Sequence, residues 1–288
     1  MKETHLRAYG KINLGLDVIR KRPDGYHDLD MIMQTVGIYD DVVIKTTGRK
    51  GEIKVETDAT VLPNDEGNLA YRAAKLLLDE FDIDDGVCIY INKVIPIAGG
   101  MAGGSSDCAA TLKGINELFG LGLDEEALKK RGVTLGADVP YCIMGGTALA
   151  RGIGDKLTRL PAPPDCTVVI AKPPISISTA YIYGNIRPDR LNKHPDIDRI
   201  VKCIEQGDLA GMAKLLYNVM EEVTAKENPI IREIENIMID CGALNSIMSG
   251  SGPTVFGLFD DEEKAVQAEA KLKQRSLTEQ LYITHFVN

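Results

Sequence analysis

Residues Pro96 to Ala110 read PIAGGMAGGSSDCAA, and how this stretch is read decides the fold. Gly99, Gly100, Gly103 and Gly104 fall within six residues; Ser105, Ser106 and Asp107 follow, then an amphipathic helical pattern. The run before it, Val87 to Ile95, alternates as a strand does. The order is therefore strand, glycine loop, helix start. Glycine permits positive φ and lets a ligand approach main-chain N–H groups closely. A helix N-terminus adds N–H donors and partial positive charge, which suit phosphate. No Lys-Ser/Thr follows the glycines, so this is not a Walker A loop, and the spacing is not G-x-G-x-x-G either. An ordinary glycine turn has the same composition, so the phosphate reading leans on two further stretches.

Working outward toward the N-terminus, residues 5–19 alternate through Ile12, Leu14, Leu16 and Val18, with Lys11 and Asn13 on the opposite face. By itself Lys11 reads as an ordinary solvated lysine. Pro23-Asp24-Gly25 is a turn, and Tyr26 and His27 leave it side by side. Met31 to Lys45 is a second strand region, with Glu52 to Glu56 expected to pair with it. Asn68 is placed to cap a helix whose core stripe is Ala70, Ala73, Ala74, Leu77 and Phe81.

Toward the C-terminus, the second stretch is Leu135-Gly136-Ala137-Asp138-Val139-Pro140-Tyr141. An aspartate among apolar neighbours is either a partnered buried carboxylate or the cap of a short helix. Pro161 to Pro164 is the clearest linker. Residues 175–183, ISISTAYIY, alternate, and 196–206, 208–223 and 229–240 read as three helices. The third stretch is a second glycine-serine loop, Met248-Ser249-Gly250-Ser251-Gly252-Pro253-Thr254, followed by the strand VFGLF, a helix over 261–275 and a strand over 281–287. Strands and helices come in runs rather than strict βα units, which predicts an α+β fold.

The 288 residues suffice for a sizeable core, and 44% apolar with 26% charged is a globular balance. A net charge of −9 argues against a basic stripe for nucleic acid. Six scattered cysteines form no C-x-x-C pair, which argues against structural zinc and fits free thiols in a reducing cytoplasm. No apolar run reaches membrane-spanning length, and MKETHLRAYGKIN lacks the apolar core of a secretory signal.

Three motifs in order, GKINL, PIAGGMAGGSSD and SGSGPTVF, resemble the GHMP kinases over essentially the whole chain. The resemblance implies a two-domain α+β fold with its active site in the cleft between the halves, divided here at 1–160 and 161–288. Within the family, KINLGLDVIRKRPDGYHDLDMIMQTV resembles the branch that uses ATP to phosphorylate the 2-hydroxyl of a cytidylyl-methylerythritol, in non-mevalonate isoprenoid synthesis. Lys11 and Asp138 then correspond to the catalytic pair. Pro96, Ile97, Ala98, Gly99, Gly100, Met101, Ala102, Gly103, Gly104, Ser105 and Ser106 correspond to the ATP phosphate loop. Tyr26, His27 and Tyr183 correspond to the cytidine site, Asn13 to a substrate-positioning residue, and Ser106 to a ligand of Mg²⁺. Ala98 and Ala102 stand where the family usually has glycine, so the loop should work if both keep negative φ, and the phosphate reading is strained if they do not. The alternatives are a kinase for another small alcohol, of homoserine or mevalonate type, and a nucleotide-binding regulator without catalysis.

Overall fold

The computed structural model describes residues 2–288. They form two compact units, each pieced together from separate segments. One comprises the chain up to Gly10, Ile38–Ile97 and Ala102–Met144; the other comprises Lys11–Gly37, Ala98–Met101 and Gly145–Asn288. Strands β1 (Glu3–Lys21) and β2 (His27–Thr46) each contribute residues to both.

In the first unit β3 (Ile53–Thr57) is followed by α1 (Leu69–Glu80), β4 (Val87–Asn92), α2 (Gly103–Phe119), α3 (Glu125–Leu135) and α4 (Val139–Met144). The strand order is β3-β4-β2-β1. β3 runs parallel to β4, Ile53 opposite Val87, rather than beside β2 as expected, because β4 takes the place next to β2. Asn68 caps α1 as predicted, its side chain accepting from the Ala70 amide at 2.9 Å. The small Ala70, Ala73 and Ala74 let α1 pack closely over Cys108, Ala109 and Leu112 of α2. A buried Leu77 or Ile89 in this core contributes about 1.5–3 kcal/mol over exposure.

In the second unit β2 pairs antiparallel with β5 (Thr147–Gly152), and β5 with β6 (Lys156–Leu160). β7 (Thr167–Lys172), α5 (Thr179–Asn185), α6 (Ile197–Gln206) and α7 (Leu209–Leu215) follow. Then come β8 (Tyr217–Asn218), α8 (Glu221–Glu227), α9 (Ile230–Asp240), β9 (Asn245–Met248), β10 (Val255–Phe259), α10 (Glu262–Gln274) and β11 (Gln280–His285). The last strands build an antiparallel sheet of order β11-β7-β10-β9.

Two expectations fail locally. The alternating residues 175–183 end in helix α5, because the Ser178 hydroxyl caps the Tyr181 amide at 3.3 Å. The helix expected over 208–223 breaks after Leu215. Leu216 is extended, and Tyr217 and Asn218 pair in parallel with Gly15 and Leu16 of β1. The apolar stripe survives the break, since Leu216, Val219 and Met220 are all buried. Alternation and helical spacing both track burial, and here burial outlasts the helix.

Candidate active site

The loop after β4 enters the left-handed region three times, at Ala98 (φ 52°), Gly100 (φ 77°) and Ala102 (φ 59°). Both alanines thus have positive φ, the condition under which the phosphate reading is strained. A side chain in that region costs about 1–2 kcal/mol, so the loop holds its shape under strain. The physical reason lies at its ends. Ala102 must turn sharply for Gly103 to begin α2, and it caps the helix with no side-chain bond. The first-turn amides of α2 have no intrahelical carbonyl to bond. Such free amides and the helix dipole favour an anion at a helix start.

Within the loop, Pro96, Gly99, Met101 and Ser106 are buried, Ala98 and Gly104 are exposed, and Ile97, Gly100, Ala102, Gly103 and Ser105 lie between. Buried Met101 offers its main chain: its carbonyl accepts from the Lys11 amide at 3.1 Å. The Ser106 hydroxyl donates to the Tyr9 carbonyl, so its proton is committed while its oxygen keeps lone pairs. Among the described residues, no group of three or more His, Cys, Asp or Glu side chains is arranged to hold a metal ion.

Asp138 is half-buried immediately before α4, and its carbonyl takes the first helical bond, from the Cys142 amide at 3.0 Å. Its turn lies against the first turn of α2. A methyl group on Gly136 would stand 3.8 Å from Ser105 Oγ. The predicted base and the predicted phosphate-binding helix start are neighbours in one unit.

Lys11, which its strand position alone reads as solvated and the family resemblance singles out, is buried at 4% exposure. Its ammonium donates to Asn13 Oδ1 at 2.8 Å and to the Gly100 carbonyl at 2.9 Å. Asn13 is itself held by a contact from its amide to Met31 Sδ at 3.5 Å. Asn13, expected to position the substrate, thus accepts a bond from the lysine.

The second glycine-serine loop supplies residues that sequence reasoning missed. Ser249 Oγ donates to the Gly100 carbonyl at 3.0 Å, the same oxygen that Lys11 uses. A methyl on Gly250 would lie 2.8 Å from that oxygen and 3.3 Å from the Lys11 ammonium nitrogen; one on Gly100 would lie 2.2 Å from the Ser249 carbonyl oxygen. Only glycine fits at either place. Asn218 suspends this loop, donating at 2.8 Å to the carbonyls of both Met248 and Gly250, while Glu221 accepts from the Met248 amide at 2.8 Å. The sequence signal was the S-G-S-G string itself; nothing in it pointed to Asn218.

Of the aromatic trio, His27 and Tyr183 meet, with ring centroids 5.2 Å apart and planes tilted by 30°. Tyr26 is 58% exposed beside the turn. Burial, and secondarily the Lys21 charge, push the His27 imidazole below its usual pKa. At neutral pH it is therefore neutral, with one donor and one acceptor nitrogen.

The pattern of the GHMP kinases N-terminal domain matches residues 68–146, and that of the GHMP kinases C-terminal domain residues 193–277. The chain belongs to the GHMP kinases. Among its relatives, the 4-diphosphocytidyl-2-C-methyl-D-erythritol kinase of Lachnoclostridium phytofermentans is 51% identical, over 98% of this chain and 96% of the relative. That of Lachnospira eligens is 48% identical, over 99% and 98%. A solved 4-(cytidine 5'-diphospho)-2C-methyl-D-erythritol kinase superposes with a TM-score of 0.84 at 29% identity, over 99% of this chain and 100% of that one. The homoserine kinase of Cytophaga hutchinsonii, at 19% identity, shares the fold with a TM-score of 0.79, over 100% of this chain and 95% of that one.

Proposed function

We propose that this chain transfers the γ-phosphoryl group of ATP to the 2-hydroxyl of 4-diphosphocytidyl-2-C-methyl-D-erythritol, a cytoplasmic step toward isoprenoid precursors. The near-full-length identity to kinases of that name supports the reading. The observation that carries it within this molecule is the His27–Tyr183 pair. It offers a flat face and a neutral ring with one donor and one acceptor, suited to stacking on cytosine and reading its edge. Tyr26 serves as a second stacking face. Base–aromatic stacking is worth roughly 1–3 kcal/mol per base.

In the proposed reaction the substrate 2-oxygen attacks the γ-phosphorus and the bond from phosphorus to the β–γ bridging oxygen breaks, leaving ADP. Asp138 accepts the hydroxyl proton. Lys11, fixed by Asn13 and the Gly100 carbonyl, stabilises charge on the transferring group. The amides of Pro96–Ser106 and the start of α2 hold the phosphates, with Ser105 as a hydroxyl donor. Positioning and charge stabilisation are most of what this chemistry asks for.

A Mg²⁺ ion held mainly by phosphate oxygens and water needs few protein ligands. The Ser106 oxygen, with lone pairs remaining, fits as the protein donor. Such an ion supplies neutralisation of phosphate charge. The sequence division at 160/161 falls in the gap between the two family matches, whereas the compact units interleave and the last segment of the second begins at Gly145.

The test is an ADP-release assay against a panel of alcohols. ADP release with the cytidylyl alcohol and little with homoserine or mevalonate is the expected result. The reverse preference would transfer the proposal to another branch, and no release with any alcohol would favour a regulator. Asp138→Asn should lower turnover by about 10²–10⁴-fold, with ATP binding retained; near-normal turnover would remove Asp138 from the mechanism.

A further inference from the structure

Beneath the glycine loop lies a charge cluster that the mechanism above does not use. Lys93, just after β4, donates to Asp40 Oδ2 at 2.5 Å and to Asp107 Oδ2 at 2.6 Å. All three side chains are 5% exposed or less. Asp40 spends its other oxygen on the amides of Val94 and Ile95, at 2.6 and 2.8 Å, which are the last residues before the loop begins. Asp107 sits in α2 just after the loop ends. One ammonium thus ties the loop's entry to its exit. It lies close under the helix start, since a methyl on Gly103 would stand 3.4 Å from Lys93 Nζ and 3.2 Å from Ile95 Cγ2.

Two further observations give this tie a purpose. Ala98 and Ala102 occupy left-handed backbone, a conformation that persists only where its surroundings over-determine it. Asp107 Oδ1 is buried with no hydrogen-bond partner. Burying a carboxylate oxygen with no partner is costly. Replacing such a cluster with apolar side chains is often neutral or stabilising, so stability alone gives little reason to keep it. Fixing one loop geometry is a role that apolar packing fills less well.

We propose that Asp40, Lys93 and Asp107 form a clamp that holds the glycine loop in its phosphate-accepting shape, with Lys93 and Asp107 as positioning residues for ATP. The proposal rests on the kinase reading. Its signature is selective: loosening the clamp weakens ATP and spares the alcohol.

The experiment compares the full-length wild type with K93M and D107N, measuring KM for ATP, KM for the cytidylyl alcohol, turnover and melting temperature. Binding of a non-hydrolysable ATP analogue and hydrogen exchange of the 98–106 amides are measured in parallel. D107N keeps the shape and an acceptor for Lys93, so it is the variant that folds if K93M does not. K93M is expected to raise KM for ATP by about tenfold and D107N by about threefold. The alcohol KM should stay within about twofold, and loop amides should exchange faster without nucleotide. Variants that melt earlier while the ratio of the two KM values and the loop exchange stay at wild-type values would overturn the clamp. Should the wild type release no ADP with any alcohol, the kinase reading fails and the clamp is judged on analogue binding. Weaker binding by both variants then supports it; unchanged binding overturns it.

Discussion

The loop Pro96–Ser106 and the loop Met248–Thr254 both swing the backbone into the left-handed region, but with different residues. The first does so at two alanines and a glycine, Ala98, Ala102 and Gly100; the second does so at Gly250 and Gly252 alone. The supports differ in the same sense. Charged groups staple the first at both ends through Asp40, Lys93 and Asp107. The second hangs chiefly from one neutral amide, Asn218, with Glu221 on its first amide. A loop whose turns are glycine carries its shape in its own residues; a loop that turns at alanine borrows its shape from outside.

The largest effect that would break this contrast is expected where the loops touch. Gly100→Ala drives a methyl to 2.2 Å from the Ser249 carbonyl oxygen and puts a side chain at φ 77°. The shift of Lys11's carbonyl acceptor should cost about 10²-fold in kcat/KM, read by steady-state kinetics. Wild-type kinetics would show that the fit between the loops is not needed for Lys11.

Next comes the suspension of the second loop. Asn218→Ala leaves the buried carbonyls of Met248 and Gly250 without that donor, and the Met220 amide without its acceptor. The expected loss is about 3 kcal/mol of stability by urea unfolding. A loss within about 0.5 kcal/mol would mean the glycines alone hold the loop.

Glu235, with Arg232 and Glu221, lies behind the same support. Burial, and secondarily the Glu221 charge, raise its pKa from 4.5 to about 8. Between those values the folded protein holds a proton that the unfolded chain has lost. Stability should therefore fall as pH rises from about 4.5 to about 8. Glu235→Gln should flatten that slope in unfolding midpoints taken across the range; an unchanged slope would assign it to other groups.

The smallest effect sharpens the contrast at the first loop. Ala102→Gly relieves a positive φ but adds freedom to the unfolded chain, so a net gain of about 0.5 kcal/mol is expected in the same unfolding assay. A net loss would mean that the loop gains from its alanines.

Much of this was legible in the sequence because it is local. The glycine string, the cap at Asn68, and the strand carrying Lys11 and Asn13 are written in adjacent residues or at strand and helix periods. The breaks were not. Leu216 to Met220 keep their apolar spacing although the helix stops, because Tyr217 and Asn218 answer to Gly15 and Leu16, some two hundred positions away. Nor could spacing reveal that Asp40 meets Lys93 and Asp107, since a charge in a strand reads as solvated until its partner is known. The alanine φ values were out of reach for a related reason: backbone strain is set by what surrounds a residue, not by its type.

The six thiols carry a practical consequence. None is in a disulfide, and five are buried. Burial pushes the Cys166 thiol up to about 12 and raises that of Cys108 as well. The thiolate is the form that maleimides attack, so buried native cysteines of this kind react slowly at neutral pH. Cysteines introduced at Val61 and Ile239, which are 76% and 43% exposed and lie one in each unit, would accept a donor–acceptor dye pair with only half-buried Cys142 left to mask. Fluorescence energy transfer between the dyes, with and without ATP, then turns the separation of the two units into a directly measured quantity.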